Sequence, residues 1–189
     1  MQHQLRIHMD FAAKGRMSLA PLGYVRIWNY LYGKQPAAVV NNEHRIYQQL
    51  SYGHPAGRWT ISHRLRTEER FIQDHTSSGE SLGYINKQFR VRYRVMANYP
   101  LNQPKITPGV FFASLYYEGF ISRGERITFH DIDQNRFYAG IGRQFEHGLN
   151  ITAGLFHQML VKANGAKQEN NLGILVMVTK NIDLTKKED

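Results

Sequence analysis

Six arginines stand at alternating positions in two neighbouring stretches: Arg64, Arg66 and Arg70 within residues 59–71, and Arg90, Arg92 and Arg94 within residues 89–99. Residues two apart share one face of a strand, whereas on a helix the same spacing would smear them around the cylinder. With Glu68 among them, the two files hold six positive charges and one negative, a surplus of five. Side chains on neighbouring strands lie about 5 Å apart, where like charges repel. Glu43 and Glu118 occupy positions of the same type and are too few to neutralise the set, which Arg136 extends. Two chemistries fit such a constellation. One is an interior filled by interlocked Arg–Glu pairs and water; the other is a basic interior that draws in anionic solutes or lipid head groups, as arginine rings do in anion-selective pores.

Other chemistries find less support. Without cysteine the chain has no disulfide framework, thiolate zinc site or cysteine nucleophile. Of nine histidines, His3 and His8 point to opposite faces of a strand, and His44, His54, His63, His75, His130, His147 and His157 lack metal-ligand spacing. His130, Asp131 and Asp133 suit either a divalent ion or an ordinary solvated loop. Ser114, Tyr116 and Glu118 share a face, but Ser114 and Glu118 stand about 13 Å apart along a strand. Any catalytic dyad there needs a partner from another strand. Ser62 and His63 are adjacent and so face opposite ways. Gly140 and Gly142 relieve crowding or allow a bend; no helix follows them to bind phosphate. No catalytic residue, metal or cofactor is assigned. No nucleic-acid-binding motif is recognisable either, and an interior arginine stripe is not an exposed groove, so nucleic acid is not expected as a partner.

The elements that must position these residues are strands. Phe89, Val91, Tyr93, Val95, Ala97 and Tyr99 oppose Arg90, Arg92, Arg94, Met96 and Asn98; Trp59, Ile61, Leu65 and Phe71 oppose Thr60, Ser62, Arg64, Arg66, Glu68 and Arg70. His63, Thr67 and Glu69 weaken the apolar file, Glu69 by lying near a strand end. The same alternation predicts about nine strands, near 2–11, 17–30, 43–52, 58–72, 85–99, 109–121, 134–146, 149–160 and 171–180. Most are long enough for a tilted strand to cross a bilayer. Arginine on a lipid-facing strand position costs about 2–4 kcal/mol at mid-depth, so the arginine files must line a wet interior. Trp28, Tyr30, Tyr32, Tyr47, Tyr52, Trp59, Tyr84 and Tyr99 fall near strand ends, as interfacial girdles or as ordinary residues of high β-propensity.

At 189 residues, the chain suits one domain spanning 1–189; 42% hydrophobic and 12% aromatic residues are too many for disorder. The net charge of +9 admits nucleic acid, an anionic membrane surface or an acidic solute as partner. No run of about 18 apolar residues predicts a transmembrane helix. The mean hydropathy of −0.49 resembles that of a soluble protein, but a transmembrane β-barrel alternates lipid-facing and interior residues and averages to the same.

Connections alternate along the chain: short at 12–16, long at 31–42, short at 53–57, long at 73–84, intermediate at 100–108, long at 122–133, short at 146–148 and long at 161–170. An up-and-down barrel puts every long one on a single rim, matching external loops and periplasmic turns; a Greek-key sandwich has no reason to. Strand one then runs inward and Met1 sits at the external rim. Nine strands and an external start predict that an odd number of N-terminal strands and an export signal precede this sequence.

Five segments occur in order: E-H-R-I-Y-Q-Q-L (43–50), S-H-R-L-R-T-E-E-R-F-I (62–72), R-V-R-Y-R-V-M-A-N-Y-P-L-N (90–102), Y-Y-E-G-F (116–120) and D-Q-N-R-F-Y-A-G-I-G (133–142). Together they resemble the bacterial family of domain of unknown function twenty-four ninety, regarded as outer-membrane β-barrel-like proteins. The resemblance covers most of the chain from about residue 40 and implies a fold and a location but no reaction. The charged tail 186–189 departs from the aromatic terminus that many outer-membrane barrels carry.

The resulting expectation is an all-β, up-and-down antiparallel barrel of outer-membrane type. Its lumen is lined by Arg64, Arg66, Arg70, Arg90, Arg92, Arg94 and Arg136, with Glu43, Glu68 and Glu118 as counter-charges. Its partners are outer-membrane lipid and an anionic solute or lipid head group; no protein partner is specified. A structural role, a narrow anion-leaning pore, a lipid-modifying enzyme and a soluble lipid-binding barrel remain open.

Overall fold

Strict two-residue alternation, rich in aromatic and β-branched side chains, forms ten strands in a computed structural model that describes residues 2–8, 11–12, 17–29, 41–128, 132–162 and 165–180. They are β1 (Gln2–His8), β2 (Phe11–Ala12), β3 (Met17–Asn29), β4 (Glu43–Ala56), β5 (Trp59–His75), β6 (Ser81–Pro100), β7 (Phe111–Gly124), β8 (Ile132–Gln144), β9 (Leu149–Val161) and β10 (Gln168–Lys180). The only described helical element is the single turn Glu146–Gly148. Met1, Tyr30, Tyr32, His130, Asp131 and the tail 186–189 lie outside the described residues, as do the side chains of His3, His8 and Trp28.

All strands belong to one antiparallel sheet in which neighbours in sequence are neighbours in space. β1 and β2 both pair with β3, at successive stretches of its length, so the sheet has nine strand positions. β1 and β10 are its edges; among the described residues they do not pair, and the sheet is open. β3 carries a one-residue register shift between Ala20 and Gly23. Pro21 lies in that shift, where its missing N–H removes nothing from the ladder.

The connections differ from the expected alternation. Residues 73–84 do not form a long loop: Asp74 pairs with Gly83 and His75 with Ser81 through bulges, leaving only 76–80. There the Glu80 N–H donates to Thr76 Oγ1 at 3.1 Å, and Gly79 takes the left-handed φ of +90° that glycine favours. Conversely, 101–110 is a ten-residue connection on the rim of the two-residue turn 57–58. Pro104 and Pro108 withhold ladder donors. Arg58 Nη2 donates to the carbonyls of Pro100 and Gln103 at 2.9 and 3.0 Å, and Asn102 Oδ1 accepts the Phe111 N–H at 3.0 Å. Loop length therefore separates the rims less sharply than the residue pattern predicted.

The sheet has two unlike faces. β7 shows them most clearly: Phe112, Ser114, Tyr116, Glu118, Phe120 and Ser122 are buried on one side, while Phe111, Leu115, Tyr117 and Ile121 are exposed on the other. Across most of the sheet the buried side carries the arginine and glutamate files and the exposed side is mainly apolar. Glu68 is 1% exposed, whereas Ile174 is 81% exposed. The sheet curls toward its charged side: Gln88 and Arg90 of β6 share a cavity of about 170 Å³ with Leu160 and Lys162, three strand positions away.

Aromatic placement follows strand parity. Trp59 and Tyr99 meet at 4.9 Å on the apolar face beside the 57–58 rim, and Tyr84 meets His44 edge-on at 4.4 Å toward the opposite rim. Tyr47 is a correction to the girdle expectation. It shares parity with Glu43 and Arg45 and is buried on the charged face.

Candidate functional site

The register brings all ten sequence-selected charged residues onto that buried face. Arg64 lies opposite Arg94, Arg66 opposite Arg92, and Glu68 opposite Arg90. Glu118 lies between Arg94 and Arg136, and β4 places Arg45 opposite Arg70. Three rows thus set arginine directly against arginine, an arrangement that destabilises a sheet unless something intervenes.

Three carboxylates intervene. Glu43 binds both members of the Arg45–Arg70 pair: Arg45 Nε and Nη2 donate to it at 2.6 and 2.9 Å, and Arg70 Nε and Nη2 at 2.5 and 3.0 Å. Glu68 accepts from Arg92 Nη1 at 2.5 Å, with Arg66 and Arg45 at 3.8 Å. Glu118 accepts from Arg64 Nη2 at 2.5 Å and from Arg92 Nη2 and Nε at 2.9 and 3.2 Å. Arg92 therefore ties Glu68 to Glu118 at the centre of the site.

Burying such pairs is favourable only when the remaining donors are also met. Neutral side chains supply much of that. Arg66 donates to Gln49 Oε1 at 2.9 Å, Arg70 to Gln88 Oε1 at 2.7 Å, Arg90 to Ser122 Oγ at 2.8 Å and Arg136 to Gln158 Oε1 at 3.0 Å. Aromatic faces add cation–π contacts, while Arg64 Nε and Glu68 Oε2 have no hydrogen-bond partner among the described residues. The Arg66 guanidinium lies 4.1 Å from the Tyr47 ring centre, and Arg92 and Arg136 lie 4.7 and 4.8 Å from that of Phe120. Gly23 makes room beneath Tyr47, since a Cβ there would fall within 2.6 Å of three ring atoms.

Arg94 has no hydrogen bond to a described residue and sits 5.7 Å from the Tyr116 ring centre. Eight arginines (45, 64, 66, 70, 90, 92, 94 and 136) face three glutamates and the buried Asp133, which shares a cavity with Arg90, an excess of four positive charges. Arg90, Arg94 and Arg136 make no ion pair with a described carboxylate.

Alternation alone could have found Arg45, which shares the parity of Glu43, Tyr47 and Gln49. Phe120 and Ser122 likewise continue the file of Glu118. The stacked pair His54 and His63 has no linear signal. It arises because β4 and β5 fold back at residues 57–58, bringing the rings to 5.3 Å at 4° on the apolar face, beside Tyr52 and Tyr93.

Ser114 gains no catalytic partner. Asn98 and Gly140 lie opposite it, and its buried Oγ has no hydrogen-bond partner among the described residues. Gly140 and Gly142 relieve crowding: a Cβ on Gly140 would meet the Tyr138 hydroxyl at 2.3 Å, and one on Gly142 the Phe112 ring at 2.4 Å. At the rim beyond the apolar face, Asp74 accepts the His75 N–H at 3.0 Å and Arg126 Nη1 at 2.6 Å. These partners hold its carboxyl below its ordinary pKa.

No curated protein and no solved structure matches the chain. The model of one family, described as Protein of unknown function (DUF2490), matches residues 1–170, and the chain belongs to that family.

Proposed function

We propose that this protein is a membrane-spanning β-barrel of the outer membrane, whose charged face encloses an interior filled by the arginine–glutamate network. The observation that carries the reading is the inversion of the two faces. Leu115, Ile141, Leu155, Leu172, Ile174 and Val176 are exposed, while Glu68, Arg92 and Glu118 are buried. In water this arrangement exposes the wrong groups; with hydrocarbon outside, it satisfies both faces. A soluble lipid-binding barrel needs the opposite pattern, an apolar interior under a polar exterior.

Filling rather than conduction follows from burial at the centre. Tyr47, Glu68, Phe112, Phe120 and Ser122 are each no more than 1% exposed. The protein then acts as a structural envelope component whose partner is outer-membrane lipid. A second reading, a narrow anion-leaning pore, is favoured by Arg90, Arg94 and Arg136, which make no direct ion pair with a described carboxylate.

The test is flotation of the full chain with lipid vesicles, followed by planar-bilayer recording. Flotation together with a silent bilayer supports the filled barrel. Steady current preferring chloride over potassium selects the pore. A protein that stays in the aqueous phase without detergent overturns both.

A further inference from the structure

The apolar face carries a basic groove whose construction none of the foregoing explains. It lies where β5, β6 and β7 approach the 76–80 rim and has a volume of about 410 Å³. The outward residues in its lining are Glu69, Phe71, Lys87, Phe89 and Arg123. Phe71 stands opposite Lys87, and Phe89 opposite both Glu69 and Arg123. Lys87 and Arg123 are thus diagonal neighbours on adjacent strands, with Cβ atoms about 7–8 Å apart. That spacing lets two cationic heads close on one tetrahedral anion between them, with Arg123 Nη1 also donating to the Ser122 carbonyl at 3.3 Å.

Phe71 and Phe89 are the apolar part of the groove. Along the strands from Phe89 toward the other rim, the same face continues through Val91, Tyr93 and Val95, all apolar or aromatic. A molecule that fits therefore has an anionic head at Lys87 and Arg123 and a hydrocarbon tail running down the sheet. In the next pairing along the Phe71–Lys87 row, His44 lies opposite both Phe71 and Arg26, which widens the basic border.

We infer that Lys87 and Arg123 form a site for the phosphate of a membrane lipid head group, whose acyl chains lie over Phe71, Phe89 and Val91. The site rests on the membrane-spanning reading proposed above. It also gives Glu69, itself a diagonal neighbour of Lys87, a definite consequence, because that carboxylate repels the same phosphate and weakens the site.

The experiment is native mass spectrometry of the full chain in micelles doped with dioleoyl phosphatidic acid, compared with dioleoylglycerol of the same chains. The phosphate-bearing lipid is expected to be retained and the diacylglycerol not. The variant K87A/R123A should bind phosphatidic acid about twenty-five-fold more weakly, about five-fold for each cation removed. E69Q should bind it more tightly. R143A is expected to bind as the unaltered chain does, because Arg143 stacks on Phe111 and Phe145 away from the groove.

Equal retention of the two lipids overturns the site, as does undiminished binding by a K87A/R123A protein that still floats with vesicles. Displacement of phosphatidic acid by inorganic phosphate would identify a free-anion site and overturn the lipid assignment. Failure of the unaltered chain to float refutes the membrane reading itself, and this site with it. Flotation without phosphate preference refutes the site alone.

Discussion

Replacing Glu118 with glutamine tests whether the network holds the sheet together. The substitution keeps size and shape but removes the charge that accepts Arg64 Nη2 at 2.5 Å and Arg92 Nη2 at 2.9 Å. Arg94 and Arg136, directly opposite on either side, lose the same counter-charge. The positive excess on this face rises by one. Removing one partner of a buried ion pair costs about 3–5 kcal/mol, mostly because the remaining charge stays buried and uncompensated. With a urea dependence of about 2 kcal/mol per molar, the unfolding midpoint should fall by about 2 M. Tryptophan fluorescence of the vesicle-inserted chain in a urea titration reads this directly. E125Q, on an exposed connection, should stay within about 0.5 kcal/mol of the unaltered chain. Adding R64M to E118Q should recover about 2 kcal/mol or more, since removing both partners is far milder than orphaning one. The reasoning is refuted if E118Q costs under about 1 kcal/mol, or if the R64M and E118Q effects simply add.

Two further substitutions probe the opposite face and the packing beneath the network. L155R places a cation at an outward position where Leu155 is exposed and should cost about 2–4 kcal/mol in vesicles, measured by the same titration; a near-zero effect would place that face in water. G23A should destabilise by about 1–3 kcal/mol, because its new methyl displaces the buried Tyr47 ring and the Arg66 guanidinium stacked on it. Near-ultraviolet circular dichroism should register the tyrosine movement, and an unchanged spectrum with unchanged stability would contradict the close approach.

Much of this architecture was legible because the signal is local. A strand repeats every two residues, so Arg90, Arg92 and Arg94 declare their common face without knowledge of any neighbour. Pairing information is not local, and its consequences were missed. Parity puts Arg45 beside Glu43, but its value lies in facing Arg70 and reaching Glu68, which the neighbouring strand decides. Tyr47 resembled a girdle residue until Gly23 on the adjacent strand opened a slot for its ring. Connection lengths failed in both directions for a similar reason. Bulges carried the β5–β6 ladder through residues that resemble a loop, and prolines with side-chain hydrogen bonds held 101–110 out of the ladder. Glu69 was expected near a strand end; it lies well inside β5, beside Phe89.

The carboxylate bridges between facing arginines also bear on how such a sheet assembles. Shifting β5 or β6 by a single residue would turn its arginines onto the apolar face and take from Glu118 one of its two bound cations, Arg64 or Arg92. A mispaired hairpin therefore loses solvation and neutralisation together, and the correct alignment is separated from its nearest competitor by several charges at once. The network thus couples strand register to charge neutralisation, so that one alignment satisfies both.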